Sequence, residues 1–238
     1  MKNIYLILLF VILIAFVIFY NCDNKENFEV DIADEKTILQ LYQIMYDVDQ
    51  IFTKYGINYI VEGGTLLGTI RHKGIIPFDD DADVEIDKND VPLFLSTTIA
   101  FKNKGYDIVE TWFGYKIFSE NAKQVEGYNW KYPALDVFIV EKTGDRYKFS
   151  YDRAEKTFGK CYFKIDELYP LKRYTFGEIE VNGPAKYKEY LDRCYGTDWN
   201  DIYYKQYDHE HEKHLKKVKY NLTKEDREPA KPTGPIIR

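Results

Sequence analysis

The sequence predicts a single domain of the α+β or α/β class, because segments with strand and helix patterns alternate along most of its length. Its 238 residues suit one globular domain with a core of its own. Hydrophobic residues make up 45% and charged residues 30%, as is usual for a folded domain. The formal net charge of -6 argues against general nucleic-acid binding, which usually needs a basic face. The 3 cysteines form no disulfide framework, and whether Cys161 and Cys194 pair is left open.

The first residues predict a membrane anchor. From Ile4 to Tyr20 the chain is apolar without a break, and at ~1.5 Å per residue such a helix just spans a bilayer core. No pair of small residues marks a cleavage site after it, so residues 1–22 are predicted to remain as a transmembrane helix, with residues 23–33 as a polar stem. Lys2 precedes the segment and acidic residues dominate after it. This bias favours a single-pass type II protein with a cytoplasmic N-terminus and a lumenal (Golgi or ER) or extracytoplasmic domain.

Local patterns predict the elements of that domain, residues 34–223. Asp34 is placed to cap a helix whose apolar residues recur at helical period and which ends at Gly56. The further predicted elements are a strand (57–61), a short helix (66–70), a loop (71–78), a strand (81–86), a helix from Asn89 or Asp90 to Lys102, strands (106–110, 115–118, 135–140), hairpins and loops (143–182) and a helix from Pro184 to Tyr195. Residues 224–238 contain several prolines and no apolar period, which predicts a disordered tail.

A glycine pair, Gly63-Gly64, lies where the first predicted strand turns into the short helix. A strand that turns sharply into a helix leaves backbone N–H groups free at the start of the helix. The two glycines permit a phosphate to approach closely, and Thr65 adds a hydroxyl donor. A glycine pair alone is more often only a turn, so the prediction depends on the residues that follow.

Three acids follow in a pattern that predicts a metal site. Asp81 and Asp83 alternate on a predicted strand, so their carboxylates lie on one face about 6.6 Å apart along the backbone. Like charges this close are costly unless they are solvated or hold cations. Asp136 interrupts the apolar strand at 135–140, where an acid needs compensation. A third carboxylate on a neighbouring strand would complete a site for two cations, and Asp79, on the same face, is an additional candidate ligand.

Simpler interpretations exist for these and other polar residues. The acids can be a surface loop with Asp136 at the mouth of a strand. A zinc site of His209, His211 and His214 is conceivable, but their spacing fits neither one helical face nor a known zinc motif. A solvated, charge-laced helix is the favoured interpretation of that segment.

Residues 62–86, EGGTLLGTIRHKGIIPFDDDADVEI, resemble the signature of the LicD family, which includes fukutin and fukutin-related protein. The second half of the chain is similar to the ending of that family at 169–171 (YPL), 190–191 (YL) and 195–199 (YGTDW). The resemblance covers roughly residues 40–200. Two departures are Phe78, where many members have Trp, and Thr197, inserted in the usual Gly-Asp-Trp. Neither departure touches the acids.

The resemblance implies an α+β fold of the nucleotidyltransferase-like, polymerase-β type, with a mixed sheet flanked by helices. It implies transfer of a phospho-alcohol, such as phosphocholine or ribitol phosphate, from a CDP-linked donor to the hydroxyl of a glycan or glycoconjugate acceptor, and no nucleic acid as partner. By matching position, Asp81, Asp83 and Asp136 are the expected catalytic residues and ligands of Mg²⁺ or Mn²⁺, with Asp79 as a further ligand. The expected donor- and phosphate-binding residues are Gly63, Gly64, Thr65, Arg71 and His72.

Alternatives stay open at this level. For Arg71 and His72, a salt bridge within the loop is as good an explanation as phosphate binding. The chain can also be a glycosyltransferase that uses Asp81-Ala82-Asp83 as its metal-binding motif, an enzyme of nucleotidyl transfer from a triphosphate, or an inactive membrane-tethered binding protein. Glycosyltransferases usually place a longer nucleotide-binding region before that motif, and the presence of all three acids and both glycines argues against an inactive protein.

Overall fold

In a computed structural model of the chain, the first helix of the described residues, α1 (Glu35–Tyr55), begins and ends where the sequence predicts. The side chain of Asp34 accepts hydrogen bonds from N–H groups of the first turn. Gly56 ends the helix in the left-handed conformation, with φ of 74°. The apolar stripe of α1 is fully buried at Leu41, Met45, Val48 and Phe52. Because that stripe has helical period, α1 attaches to the rest of the domain along one face.

The structure describes residues 32–238, apart from the side chains of Lys205 and Gln206. Within that range no helix is both long enough and apolar enough to cross a membrane. The predicted transmembrane helix at 1–22 lies outside the described residues, as does most of the stem. The expectation of a single-pass type II membrane protein, with an N-terminal transmembrane helix ahead of the domain, is not supported, since the described part of the chain contains no such helix.

A mixed sheet of six strands forms the centre of the domain. After α1 the elements are β1 (Tyr59–Val61), α2 (Gly63–Arg71), β2 (Ala82–Asp87), α3 (Val91–Ser96), α4 (Thr98–Asn103), β3 (Tyr106–Glu110), β4 (Gly114–Gln124), β5 (Lys131–Thr143), β6 (Arg146–Phe149), α5 (Asp152–Phe158), α6 (Ile165–Leu168), β7 (Lys172–Phe176), β8 (Ile179–Gly183), α7 (Lys188–Tyr195), β9 (Ile202–Asp208) and β10 (Lys213–Asn221). The strand order is β1-β2-β5-β4-β3, and β6 pairs with the end of β5. Only β2 and β5 are parallel among these pairs. The predicted mixed sheet with flanking helices is confirmed.

The predicted helix from residue 89 or 90 to Lys102 is instead two short helices, α3 and α4. The hydroxyl of Thr97, between them, donates to the carbonyl oxygen of Phe94 at 2.6 Å. Such a local bond competes with regular helical bonding. Phe94 and Phe101 pack edge-on against Phe52 of α1, so both short helices lie against α1.

The C-terminal part of the chain differs most from expectation. The segment predicted as a charged helix around His209 is a hairpin of β9 and β10. The residues predicted as a disordered tail lie against the domain, since the N–H of Ala230 donates to the carbonyl of Ile75 and that of Ile237 donates to the side chain of Gln43. These bonds join residues far apart in sequence, which local composition does not encode. Cys161 and Cys194, whose pairing the sequence leaves open, form a disulfide. It joins the loop after α5 to α7.

Candidate active site

The pairing of β2 with β5 brings the three predicted acids together. The parallel register sets Asp83 directly opposite Asp136, and Asp81 immediately precedes β2. One carboxylate oxygen of each of Asp81, Asp83 and Asp136 lies within 4.8 Å of the others. We call these three residues the acid cluster. The two strands are distant in sequence, so the parallel pairing is what joins an acidic strand and a lone acid into one site.

Lys116 of β4 forms a buried ion pair with one member of the cluster. Its Nζ lies 2.7 Å and 2.9 Å from the two carboxylate oxygens of Asp136, and the strand register pairs the same two residues. Burial favours the neutral amine, but the Asp136 carboxylate outweighs burial and raises the pKa of Lys116 above its usual value. Lys116 therefore places one positive charge beside the acid cluster.

His209, at the end of β9, bridges two of the acids. Its Nδ1 lies 2.7 Å from an oxygen of Asp80, and its Nε2 lies 2.9 Å from an oxygen of Asp81. Burial alone would lower the pKa of His209, but the two carboxylates raise it well above its ordinary value. Burial alone would raise the pKa of Asp81, but the nearby His209 holds that pKa below its usual range. The hairpin that replaced the predicted helix thus carries a functional candidate that sequence reasoning had set aside.

The glycine turn lies directly beside the acid cluster. A Cβ atom at Gly63 would lie 3.2 Å from Oδ2 of Asp83, and one at Gly64 would lie 2.7 Å from Oδ2 of Asp79. Gly63 also has a φ of 52°, which favours glycine. The predicted ligand Asp79 is therefore adjacent to the turn, and the backbone here approaches the acids more closely than a side chain would allow.

The side chains of Tyr190 and Glu62 hold that turn in place. The N–H of Gly63 donates to the hydroxyl of Tyr190 at 3.0 Å, and this hydroxyl donates to Oε2 of Glu62 at 2.8 Å. The hydroxyl of Thr65, predicted to contact a donor, accepts the N–H of Asp83 at 2.7 Å. Burial, with the nearby charges of the acid cluster, raises the pKa of Glu62 to about 7. The turn and the start of β2 are thus held together by side chains.

The acids of the site are not balanced by the cations beside them. Burial, followed by the negative charges of Asp81 and Glu62, raises the pKa of Asp83 well above its usual value. Burial and Asp81 do the same for Asp79. Against these acids stand Lys116 and His209. Buried like charges without equal counter-charge cost free energy, and a bound cation removes that cost.

Arg71 and His72 make contacts with the C-terminal segment. The Arg71 guanidinium donates to the carbonyl oxygens of Trp199, at 2.5 Å, and Ile202, at 3.0 Å. The imidazole of His72 is 2% exposed, and its Nε2 lies 2.9 Å from the carbonyl oxygen of Asp226. Burial, with the charge of Arg71, lowers the pKa of His72 to about 4. Neither side chain forms the predicted alternative salt bridge within the loop, and their phosphate-binding role remains a prediction.

The donor set of the acid cluster fits a hard divalent cation. Its ligands are carboxylate oxygens, which Mg²⁺ and Mn²⁺ prefer. Three such oxygens lie within 4.8 Å of one another, and burial with the neighbouring acids raises the pKa of Asp83, a cost that a bound cation would remove. Asp80, Asp81 and His209 form a second such group that shares Asp81. The residues present therefore suit a metal ion at the cluster.

Sequence reasoning missed four residues of this site: Glu62, Lys116, Tyr190 and His209. One of them carried a usable signal. Lys116 is a lone charge in the predicted strand at 115–118, just as Asp136 is a lone charge in its strand. Two lone opposite charges in apolar strands predict a buried ion pair if the strands are neighbours. The other three residues depend on contacts between distant segments.

The fold and the acid cluster define a nucleotidyltransferase-like α+β domain, in which a parallel strand pair presents carboxylates beside a glycine turn. The family model described as "LicD/FKTN/FKRP, nucleotidyltransferase domain" matches residues 56–186, more than half of the chain. The chain belongs to the LicD family.

Three known proteins are similar to this chain in sequence. An uncharacterized protein of Rickettsia typhi is 40% identical over 212 residues, covering 85% of this chain and 62% of that protein. An uncharacterized protein of Rickettsia prowazekii is 36% identical over 247 residues, covering 96% of this chain and 86% of that protein. The lipopolysaccharide cholinephosphotransferase LicD of Haemophilus influenzae is 32% identical over 112 residues, covering 43% of this chain and 42% of that protein. The chain thus spans less than two thirds of the Rickettsia typhi and Haemophilus relatives.

Two solved structures match part of this chain. ANT(2")-Ia in complex with adenylyl-2"-tobramycin is 12% identical, with 66% of this chain and 79% of that chain covered and a TM-score of 0.38. The lincosamide antibiotic adenylyltransferase LnuA, bound to lincomycin, is 14% identical, with 68% and 85% covered and a TM-score of 0.38. At these TM-scores the likeness supports no conclusion about this chain.

Proposed function

We propose that this domain is a metal-dependent transferase that moves a phospho-alcohol, such as phosphocholine or ribitol phosphate, from a CDP-linked donor to the hydroxyl of a glycan or glycoconjugate. The observation that carries the proposal is the acid cluster, three carboxylates within 4.8 Å at the edge of a glycine turn. Membership of the LicD family supports the transferase class. The relative named as a cholinephosphotransferase supports phosphocholine as one candidate cargo.

The residues divide into three tasks. Asp81, Asp83 and Asp136 would hold Mg²⁺ or Mn²⁺, and the bound metal would neutralise the charge of the diphosphate. Gly63 and Gly64 would approach the donor phosphate through their backbone, since the carboxylates of Asp83 and Asp79 lie where their side chains would stand. Arg71 and His72 would be further donor contacts, since Nη2 of Arg71 is buried without a hydrogen-bond partner, although its Nη1 and the His72 imidazole contact backbone carbonyls of the C-terminal segment.

Lys116 and His209 are the positive groups that face the site. Lys116 contacts both carboxylate oxygens of Asp136, and His209 contacts one oxygen of Asp81, so each cation holds one carboxylate in place. Both can attract the donor phosphates and stabilise the charge that develops on the leaving cytidine monophosphate. The acceptor hydroxyl has to give up a proton during transfer, and the carboxylates of the cluster are the nearest proton acceptors.

The reaction products test this proposal against its alternatives. The full chain is incubated with Mg²⁺, a glycan acceptor and, in parallel, CDP-choline, CDP-ribitol, a sugar nucleotide or a nucleoside triphosphate. Release of cytidine monophosphate from a CDP-alcohol, abolished by excess chelator, is expected. Release of pyrophosphate would show nucleotidyl transfer, and release of a nucleoside diphosphate from the sugar nucleotide would show a glycosyltransferase. Donor binding without any product would show an inactive binding protein.

A further inference from the structure

Two tyrosines of α7 reach the glycine turn beside the acid cluster. The hydroxyl of Tyr190 accepts from the N–H of Gly63 and donates to Glu62. Tyr195, the last residue of the helix, reaches the same turn from the side. A Cβ atom at Gly63 would lie 3.9 Å from the Tyr195 hydroxyl oxygen and 3.2 Å from Oδ2 of Asp83. The hydroxyl of Tyr195 and that carboxylate therefore lie beside the same glycine.

The two hydroxyls differ in what they contact. Tyr190 is fully buried, and its hydroxyl has both a donor and an acceptor within the domain. Tyr195 is 36% exposed, and its hydroxyl forms no hydrogen bond with any described residue. A tyrosine hydroxyl can donate one hydrogen bond and accept others. The hydroxyl of Tyr195 is thus positioned by a helix, close to the proposed catalytic centre, and available to a ligand.

The neighbouring groups indicate that this ligand carries hydrogen-bond acceptors. Nη2 of Arg71 is buried without a hydrogen-bond partner, and Tyr195 and Asp79 are among the groups whose charges act on that guanidinium. An N–H donor and an O–H donor therefore lie near each other, and neither has an acceptor among the described residues. The oxygens of a phosphate accept hydrogen bonds and attract both kinds of donor.

A neutral donor suits this position better than a further cation does. Lys116 and His209 both lie against carboxylates, because a cation beside buried acids pairs with them. A tyrosine hydroxyl has a pKa of about 10 and is uncharged at neutral pH, and burial with the neighbouring acids raises that pKa further. It can therefore donate to a phosphate without forming an ion pair with the acids that would hold a metal.

We propose that the hydroxyl of Tyr195 donates a hydrogen bond to a phosphate oxygen of the bound diphosphate. The inference rests on the proposed function, because it takes a metal at the acid cluster to bring a diphosphate to the glycine turn. It assigns separate tasks to the two tyrosines of α7: Tyr190 holds the turn, and Tyr195 contacts the substrate. Since the contact is made to phosphate, it does not depend on which alcohol the donor carries.

Calorimetric titrations of the full chain with inorganic pyrophosphate and with CDP, each at saturating Mn²⁺, test the proposal. Tyr195→Phe keeps the ring and removes one oxygen without a partner in the domain, so its free energy of unfolding in urea should equal that of the wild type. It should weaken both affinities about tenfold or more, because the lost hydrogen bond is to a charged group. The affinity for Mn²⁺ alone should not change. Tyr55→Phe, at a position that is 37% exposed, is the matched control and should bind as the wild type does.

Several outcomes would overturn the proposal. Unchanged affinities for both diphosphates in Tyr195→Phe would show that the hydroxyl does not contact phosphate. An equal loss of Mn²⁺ affinity would show that the tyrosine acts on the metal site. A lower free energy of unfolding with normal diphosphate affinity, the change in stability expected for Tyr190→Phe, would show that the hydroxyl braces the fold. A wild type that binds neither diphosphate in the presence of Mn²⁺ would also overturn it.

Release of cytidine monophosphate from CDP-choline and CDP-ribitol, measured on the same proteins, separates this inference from the proposed function. Pyrophosphate binding that is weakened in Tyr195→Phe, without release from either donor, would support the phosphate contact and contradict phospho-alcohol transfer. Release by the wild type, with diphosphate affinities that Tyr195→Phe leaves unchanged, would support the transfer and contradict the contact.

Discussion

Two sets of buried acids in this domain have opposite surroundings. On α1, Asp47 accepts from Lys104 at 2.6 Å and from the hydroxyl of Tyr106 at 2.7 Å. Asp49, two residues later, accepts from Tyr59 at 2.6 Å and from both terminal nitrogens of an arginine of β7. Around the acid cluster, six acids (Glu62, Asp79, Asp80, Asp81, Asp83, Asp136) lie near two cationic side chains, Lys116 and His209.

The difference separates acids that stabilise the fold from acids that are positioned to bind a cation. A buried carboxylate with a matched cation and hydrogen bonds contributes a fixed contact between elements. A buried carboxylate whose pKa is raised by burial and by its neighbours opposes folding until something positive binds.

The largest effect is expected for Asp83→Asn. Asparagine keeps the shape of the side chain but removes the charge that would hold a cation. Transferase activity should therefore fall by about a hundredfold or more, because loss of one electrostatic stabiliser of the transition state commonly costs ~3 kcal/mol. The free energy of unfolding without metal should stay equal or rise slightly, because a like-charge neighbour is removed. Initial rates of cytidine monophosphate release and urea unfolding measure the two quantities. Glu126→Gln, at an exposed position, is the control. Full activity in Asp83→Asn would contradict the assignment.

Divalent cations should stabilise the folded protein measurably. If Mg²⁺ or Mn²⁺ binds the acid cluster, the free energy of unfolding rises with concentration, by about 2.7 kcal/mol at one hundred times the dissociation constant. Thermal unfolding at increasing MnCl₂, with CaCl₂ and NaCl at equal ionic strength as references, measures the effect. The increase should be lost in Asp83→Asn and retained in Asp49→Asn. An equal increase in all three proteins would show that the cation binds elsewhere.

Asp49→Asn should have the reverse profile of Asp83→Asn. The substitution removes the charge partner of Arg173 and weakens the bond from Tyr59. Because the Arg173 side chain is 38% exposed and can be rehydrated, we expect the free energy of unfolding to fall by roughly 2 kcal/mol, less than for a fully buried pair. Urea unfolding measures it, and donor affinity per folded molecule should not change. A loss of donor affinity without loss of stability would reverse the division between the two sets of acids.

The same comparison explains which parts of the site the sequence could predict. Asp81, Asp83 and Asp136 were recognisable because each breaks a local rule, either as adjacent like charges on one strand face or as an acid in an apolar strand. The bounds of α1 followed from its cap at Asp34 and its terminal glycine. Both signals are contained within one element.

The missed residues depend on contacts between elements. His209 reaches Asp80 and Asp81 only because β9 and β10 form a hairpin, and its local sequence, rich in charge, equally fits a helix. Tyr190 is indistinguishable from other tyrosines until α7 places its hydroxyl between Gly63 and Glu62. Composition describes neither placement, so His209 and Tyr190 were not predictable, whereas the three aspartates were.

The smallest effect concerns His72, which belongs to the partnered side of the comparison. Burial lowers its folded-state pKa to about 4, below the ordinary value of about 6.5 expected in the unfolded chain. Between these values the unfolded chain binds more protons, so the neutral imidazole supports folding fully above about pH 6.5, and that support declines as pH falls towards 4. From pH 7 to pH 5 the wild type should lose about 1.8 kcal/mol more free energy of unfolding than His72→Gln. Glutamine suits the comparison because its amide can also donate to the carbonyl of Asp226. Urea unfolding at both pH values measures the difference. If the free energy of unfolding falls equally in the two proteins and His72→Gln binds the donor more weakly at pH 7, this histidine contributes to donor binding rather than to folding.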